Sequence, residues 1–205
     1  MAAVDDRPIG VFDSGVGGLT VVSCLRKALP HERIVYFGDT ARVPYGTKSR
    51  SVVLRFACQD AAFLSRFDPK CVVIACHTVS ALAAGLLRRT FPSLPFIDVI
   101  RPSVERAVAE TKNGVVGVIG TAATISSGRY QRALKQADSR VRVVTQVCSL
   151  FVPLAEEGWV DGPLVEEIAR RYLAGMRASG IDTLILGCTH YPLLTGVISY
   201  VVGED

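Results

Sequence analysis

Two cysteines follow short apolar runs in closely similar settings. Cys76 ends the run VVIAC and Cys188 ends the run LILGC, and each is followed by polar residues and a predicted helix. A thiol near a helix N-terminus is more acidic than its usual pKa of about 8.5, because the helix dipole favours the thiolate. Two such thiols can invert a carbon stereocentre, one removing a proton and the other delivering a proton to the opposite face.

Neighbouring side chains could exchange protons with each thiol. Asp13 and Ser14 lie at a strand end of the Cys76 half, in the turn FDSGVGG, and His190 is two residues past Cys188. Each thiol must act as thiolate in one direction and as thiol in the other, so a pKa not far from neutrality is useful for this reaction. The alternative for any of the six cysteines is a small buried hydrophobe in a reducing compartment, which we expect for most of them.

A metal site is a second interpretation of the same residues. Cys76, His77, Cys188 and His190 are all metal-ligating types. Adjacent residues of a strand point to opposite faces, and the ligand spacings of structural zinc sites are missing. The sequence therefore predicts no metal site.

The glycine turn has two further interpretations. Its backbone N–H groups open a helix, where an anion could bind. The letters GVGG also match part of the dinucleotide-binding pattern G-x-G-x-x-G, and Asp39 follows about 20 residues later. Thr20 occupies the final glycine position, so this fingerprint is incomplete. The segment GDTARVPYG, residues 38–46, is a polar loop predicted at the same sheet edge.

These residues need a parallel sheet to bring them together. Short β-rich runs alternate with longer helical stretches, which is typical of α/β folds. The strands are predicted at 9–12, 34–37, 72–75, 115–119, 141–145 and 183–186. The helices are predicted at 19–28, 49–66, 79–90, 103–110, 128–135, 153–157 and 163–179. Ligands of open α/β sheets bind at the carboxyl ends of the strands.

A weak internal repeat divides the chain. Residues 9–20 resemble 116–127, and residues 71–82 resemble 183–194. The sequence thus predicts two similar, open, mainly parallel sheet domains flanked by helices, residues 1–97 and 98–205, with the active site between them. The proline-rich segment FPSLPFIDVIRPS is the predicted linker.

Composition excludes several classes of protein. The 205 residues are 49% hydrophobic and 20% charged, with a net charge of +4 and basic residues in pairs, not tracts. No nucleic-acid partner is expected, since binding needs clustered basic residues. No segment reaches the roughly 18 apolar residues of a membrane helix, and the start lacks secretory-signal order. We expect a cytoplasmic protein that does not bind membranes.

Five motifs in order resemble the aspartate/glutamate racemase family, and in particular its glutamate racemases. They are FDSGVGGLTV, YFGDTARVPYG, GTAATISSGRY, LFVPLAEEG and GCTHYPLL, and the match spans nearly the whole chain. The resemblance implies interconversion of L- and D-glutamate, which supplies D-glutamate for peptidoglycan. It also implies two catalytic cysteines and no cofactor or metal.

The resemblance implies a role for particular residues. Cys76 and Cys188 would be the acid/base pair, Asp13 would assist the first and His190 the second, and Glu156 would be a further carboxylate on the second side. The glutamate-binding residues would be Ser14, Pro44, Tyr45, Gly46, His77, Thr78, Thr121, Thr124 and Thr189. A homodimer is possible, as in many family members.

The sequence departs from the family pattern in two places. His77 follows the first cysteine where the family usually has Asn, from which we expect reduced or pH-shifted activity. Family members also continue after the GCTHYPLL helix with a strand and helices that return to the first domain, and this sequence stops at VVGED. The usual return is expected to be absent, leaving an open sheet edge. The remaining alternatives are an impaired or inactive relative that acts as a binding protein, a racemase of aspartate or a hydantoin, and a dinucleotide-binding enzyme.

Overall fold

The structure, a computed structural model, describes residues 5–203. These residues form two units, one up to Val99 and one from Ile100 onward. The first unit holds the strands β1 (Ile9–Asp13), β2 (Ile34–Gly38), β3 (Cys71–Ile74) and β4 (Phe96–Asp98). The second unit holds β5 (Val115–Gly120), β6 (Arg142–Val147) and β7 (Thr183–Gly187).

The three strands of the second sheet repeat the order of three strands of the first, which carries β4 as a fourth. The orders of the two sheets are β2-β1-β3-β4 and β6-β5-β7, and the paired strands are parallel. The expected α/β fold with two similar parallel sheets is confirmed. Because parallel strands end at one edge of a sheet, the residues that follow β1, β2 and β3 lie together, and so do those that follow β5, β6 and β7.

Helices connect the strands. In the first unit they are α1 (Leu19–Ala28), α2 (Arg50–Ser65), α3 (His77–Leu82) and α4 (Ala84–Thr90), with 3-10 turns at Thr40–Arg42 and Tyr45–Thr47. In the second unit they are α5 (Ile100–Glu110), α6 (Ala122–Ser126), α7 (Arg129–Ala137), α8 (Phe151–Glu156), α9 (Pro163–Ala178) and α10 (Thr195–Val202), with a 3-10 turn at Tyr191–Leu194. Within residues 5–203, no helix is long and apolar enough to cross a membrane.

The proline-rich segment that was predicted to be a linker contains a short strand. Strand β4 lies within this segment and pairs with β3, and the carbonyl of Pro95 accepts a hydrogen bond from Val72. Proline is tolerated at the start of a short edge strand, where its missing N–H is not needed. The boundary between the units therefore falls after Val99, two residues beyond the predicted position.

The helix after Cys76 also differs from the prediction. It begins at His77, not near Val79, because Cys76 itself takes the N-cap position. Its continuation is interrupted at Ala83, so that one predicted helix becomes α3 and α4.

Each unit has its own apolar core, and each core includes one of the two singled-out thiols. Cys76 packs in a cluster with Phe12, Tyr45 and Ile74. Cys188 packs in a cluster with Phe151 and Tyr191 among others. Both thiols are less than one-tenth exposed. The acid/base candidates are thus set into the sheet edge, where burial strengthens electrostatic effects.

Two glycines at strand ends permit a close approach of backbone. A Cβ on Gly38 would lie 2.4 Å from the carbonyl oxygen of Gly15, and a Cβ on Gly187 would lie 2.5 Å from that of Ile119. Neither distance is available to any other residue without moving the backbone. Both glycines therefore bring a neighbouring segment against the edge of the sheet that carries the thiols.

Candidate functional site

The turn after β1 is closed by its own aspartate. Asp13 is fully buried, and its Oδ2 accepts hydrogen bonds from the N–H groups of Gly15 at 3.1 Å and Gly18 at 3.0 Å. The expectation of external anion binding is wrong for these two N–H groups, because the Asp13 carboxylate occupies them. The same occupancy argues against a dinucleotide pyrophosphate in this turn.

Cys76 lies beside this turn, two residues beyond the end of β3. Its Sγ donates a hydrogen bond to Ser14 Oγ at 3.6 Å. Burial and the negative charge of Asp13 raise the pKa of the Cys76 thiol to about 12, although hydrogen bonds from the Val79 N–H and from Ser14 lower it. Burial therefore outweighs the hydrogen bonds that favour the thiolate at the start of α3.

His77 and Thr78 begin α3 and are both buried. Burial lowers the pKa of His77 to about 4, and the charge of Asp98 opposes this shift. His77 is therefore neutral near pH 7. A neutral imidazole offers one donor and one acceptor on separate nitrogens, where the family asparagine offers both through one amide.

The loop 38–47 packs against the same edge. Tyr45 and Gly46 are buried, whereas Pro44, which follows a cis peptide bond, is exposed. The Tyr45–Thr47 turn contacts α3, the helix that Cys76 caps. The first unit thus brings Asp13, Ser14 and Cys76 to one sheet edge, with this loop beside them.

Sequence reasoning missed Tyr36, which lies under the glycine turn. Its hydroxyl donates to the carbonyl of Gly15 at 2.5 Å. Burial and the nearby charges of Asp13 and Cys76 raise its pKa, so the hydroxyl stays protonated. Tyr36 belongs to the YFGD motif, but its β-strand position gave no sign that it reaches the neighbouring turn.

The second unit supplies a different set of proton-exchanging groups. Cys188 directly follows β7, and its Sγ lies 3.8 Å from Nδ1 of His190. His190 Nε2 lies 3.3 Å from Oε1 of Glu156, without the alignment of a hydrogen bond. His190 is buried and Glu156 is 38% exposed. The row of side chains Cys188, His190 and Glu156 therefore leads from the core toward the surface.

The three predicted threonines lie at strand ends of the second unit. Thr121 caps α6 after β5, and its Oγ1 lies 3.0 Å from the Oγ1 of Thr124. Thr189 lies between Cys188 and His190 and is buried. All three are thus near the edge that carries Cys188.

A second buried thiol lies at this edge. Cys148 follows β6, is fully buried, and has its pKa raised to about 12 by burial. Its carbonyl accepts a hydrogen bond from the Tyr191 hydroxyl at 2.9 Å. Cys148 is packed as a small apolar residue. The expectation of burial for most of the cysteines is wrong, because Cys24 is exposed and Cys58 and Cys71 are half-buried. Within residues 5–203, no three His, Cys, Asp or Glu side chains converge in a way that could hold a metal ion.

Fold and site together define the class: an α/β protein that carries a buried thiol at a strand end of each of two similar parallel sheets. The sequence profile of the Asp/Glu/Hydantoin racemase family matches residues 19–203. The chain belongs to this family. The expected family resemblance is confirmed.

Several individual proteins similar to this chain are named as glutamate racemases. A glutamate racemase of Geobacter metallireducens is 54% identical over 199 residues, which are 97% of this chain and 73% of that protein. The structure is similar to a crystal structure of glutamate racemase from Francisella tularensis in complex with D-glutamate, with a TM-score of 0.92 and 45% identity over 97% of this chain and 74% of that one. It is also similar to the Escherichia coli glutamate racemase in complex with L-glutamate and the activator UDP-MurNAc-Ala, with a TM-score of 0.77 and 28% identity over 97% of this chain and 75% of that one.

Proposed function

We propose that this chain interconverts L- and D-glutamate by moving protons between the substrate α-carbon and two thiols, Cys76 and Cys188. The observation that carries the proposal is the matched placement of these thiols after β3 and β7. Cys76 contacts the Ser14 hydroxyl and is acted on by the charge of Asp13, and Cys188 lies beside the His190 imidazole. Relatives named as glutamate racemases, one with D-glutamate and one with L-glutamate bound, support glutamate as the substrate.

The proton balance closes without a cofactor. His190 accepts the proton of the Cys188 thiol, and the resulting thiolate removes the α-proton of glutamate. The Cys76 thiol then gives its proton to the opposite face of the carbanion and becomes a thiolate. At this point Cys188 is a thiol again, His190 is an imidazolium and Cys76 is a thiolate. After release of the other enantiomer, His190 gives its proton to solvent and Cys76 takes one from solvent, which restores the starting state. The reverse reaction uses the same groups in opposite roles.

The assisting residues have distinct parts in this proposal. Asp13, whose charge acts on the Cys76 thiol, exchanges protons with it. Glu156 stabilises the imidazolium that forms on His190. The proposed glutamate contacts are Ser14, Pro44, Tyr45, Gly46, His77, Thr78, Thr121, Thr124 and Thr189. A cytoplasmic role in supplying D-glutamate for peptidoglycan, and a homodimer, belong to the same proposal.

The test follows both proton exchange and racemisation. The purified chain is incubated with L-glutamate in D2O, and Cα–H exchange is followed by NMR while optical rotation is recorded. We expect exchange with loss of rotation, and loss of both activities together in a double Cys76→Ala, Cys188→Ala variant. Cys148→Ala is the matched control, a buried thiol at the same kind of strand end that should leave the rate within about threefold.

Three other outcomes would contradict the proposal in different ways. Exchange of aspartate or a hydantoin but not of glutamate would reassign the substrate. Glutamate binding without exchange at any pH, in folded protein, would identify a binding protein. Unchanged exchange in the double variant would remove the thiols from the mechanism.

A further inference from the structure

One buried polar cluster of the first unit has no part in the proton transfers. It consists of Asp39, Arg42, Tyr45 and Asp60, and we call it the Tyr45 clamp. The Tyr45 hydroxyl lies 2.9 Å from Asp60 Oδ2 and also contacts Asp39 Oδ2. Arg42 donates from Nε to Asp39 at 2.6 Å and from a terminal nitrogen to Asp60 at 2.7 Å. Both carboxylates are at least 95% buried.

Asp60 occupies a position where an apolar residue would be expected. It lies on the buried face of α2, together with Val53, Ala57, Ala61 and Leu64. A buried carboxylate is costly unless it is paired, and replacing a whole buried ionic cluster by apolar groups is often neutral or stabilising. Packing alone therefore does not explain the carboxylate. Its partners indicate a role in placing Tyr45.

Tyr45 connects the clamp to the candidate site. It is almost fully buried, belongs to the same core cluster as Cys76, and begins the turn that contacts α3. Its ring lies 5.6 Å from that of Phe56, over which the Arg42 guanidinium lies at 4.3 Å. The clamp thus fixes the loop backbone at Gly46 beside the strand end that carries the thiol.

We propose that Asp60 is a positioning residue: it holds Tyr45, and with it the backbone at Gly46, in place to bind substrate. This inference rests on the proposed function, in which Tyr45 and Gly46 contact glutamate. Asp60 does not touch the reacting atoms, so its loss should weaken binding much more than it slows proton transfer.

The proton affinity of Asp60 gives this role a distinctive signature. Asp39, Arg42 and Tyr45 are the charged or titratable groups that face it. Burial and the charge of Asp39 raise the pKa of Asp60 to about 6, while Tyr45 and Arg42 lower it. Below pH 6 Asp60 becomes neutral and loses its attraction for Arg42. Substrate binding should therefore weaken as the pH falls from 7 to 5.

The test compares Asp60→Asn, which imitates the protonated aspartate, with wild type. We expect KM for glutamate to rise about tenfold at pH 7.5 and kcat to change less than threefold, as for a lost charge-assisted hydrogen bond. Wild type should show a rise in KM as the pH falls from 7 to 5, and this rise should be absent in the variant. The matched control is Glu167→Gln, which breaks an exposed ion pair with Arg171 and should change neither value.

The remaining outcomes separate this inference from the proposed function. A KM and a pH dependence equal to wild type, or a lower melting temperature alone, would overturn the role of Asp60. If Asp60→Asn does not fold, Arg42→Lys keeps the charge, loses the planar fork and should raise KM by a smaller factor. If wild type itself shows no exchange, the proposed function fails. Calorimetry of D-glutamate binding then decides, and equal affinities of wild type and Asp60→Asn would overturn this inference.

Discussion

The two cysteine sites are placed alike but have different proton partners. At the first site, the thiol meets a serine hydroxyl at 3.6 Å, and a buried carboxylate held by backbone N–H groups is nearby. At the second site, the thiol meets an imidazole at 3.8 Å, which in turn lies 3.3 Å from a carboxylate. The strand order that the two sheets share explains the matched placement, whereas the neighbours decide the acid/base character of each thiol.

This difference assigns unequal resting roles to the two thiols. Burial and Asp13 keep the proton on Cys76, because both disfavour a second negative charge. Cys188 has a neighbouring nitrogen that can take its proton. The comparison therefore predicts a thiol at Cys76 as the proton donor and a thiolate that forms at Cys188.

The largest effects should come from the thiols themselves. Cys76→Ala and Cys188→Ala should each lower racemisation at least about 10³-fold, since each removes one of the two proposed acid/base groups. Each variant should retain slow Cα–H exchange with one enantiomer, because one base remains, and the two variants should exchange opposite enantiomers. NMR in D2O with separate L- and D-glutamate measures this. Exchange of the same enantiomer by both variants would contradict the assignment of the two thiols to opposite faces of the α-carbon.

His190→Gln should have the next largest effect. The substitution removes the imidazole nitrogen that lies 3.8 Å from the Cys188 thiol, and kcat/KM should fall about 10²-fold. The fall must be equal in both directions, since two enantiomers have an equilibrium constant of one. Circular dichroism assays from each enantiomer check both statements. A loss below about threefold would show that the imidazole does not activate the thiol.

Glu156→Gln should cost less, about fivefold in kcat/KM. In the proposed mechanism Glu156 acts on the imidazolium only electrostatically, and at 38% exposure solvent screens that interaction. Steady-state assays of this variant and of the double variant His190→Gln, Glu156→Gln test whether Glu156 acts through His190. Additive losses in the double variant would contradict a role of Glu156 that acts through His190.

His77→Asn should have the smallest effect on catalysis but a clear effect on acid stability. The pKa of His77 is lowered to about 4 in the folded chain, so the unfolded chain binds a proton first as the pH falls below about 6.5. Wild type should therefore lose about 2–3 kcal/mol of unfolding free energy between pH 7 and pH 4.5 that the variant keeps. Urea unfolding at both pH values measures this difference.

The activity of the same variant tests the expectation drawn from the family pattern. His77 is neutral between pH 6 and 9. The substitution His77→Asn should therefore change KM, whereas the pH profile of kcat in that range should stay the same. Identical kinetics at every pH would show that the departure from the family pattern has no consequence for the reaction.

Strand ends were predictable because short apolar runs and the glycine turn define them locally. Helix α1 begins and ends as predicted, and the six predicted strands are all present. Strand β4 was hidden because its three residues are flanked by prolines and gain their stability from pairing with β3. Such non-local pairing leaves little trace in the local sequence.

The chemistry of the site was predictable in residue identity but not in protonation. Local spacing placed His190 beside Cys188, and only the fold shows that Glu156, more than 30 residues earlier in the chain, reaches the same imidazole. The pKa of Cys76 depends on how deeply the core encloses it, which the spacing does not reveal. Asp60 had one signal, a carboxylate on the apolar face of α2.

Gly38 and Gly187 are needed for the fold, whatever substrate the site binds. Backbone contact alone is enough to require each of them, since an added Cβ would clash with a carbonyl oxygen of the adjacent segment. A descendant that changed its preferred amino acid could replace threonines or His77 and still need both glycines. In an alignment, these two positions should therefore mark the architecture, and the residues that follow the strands should mark the specificity.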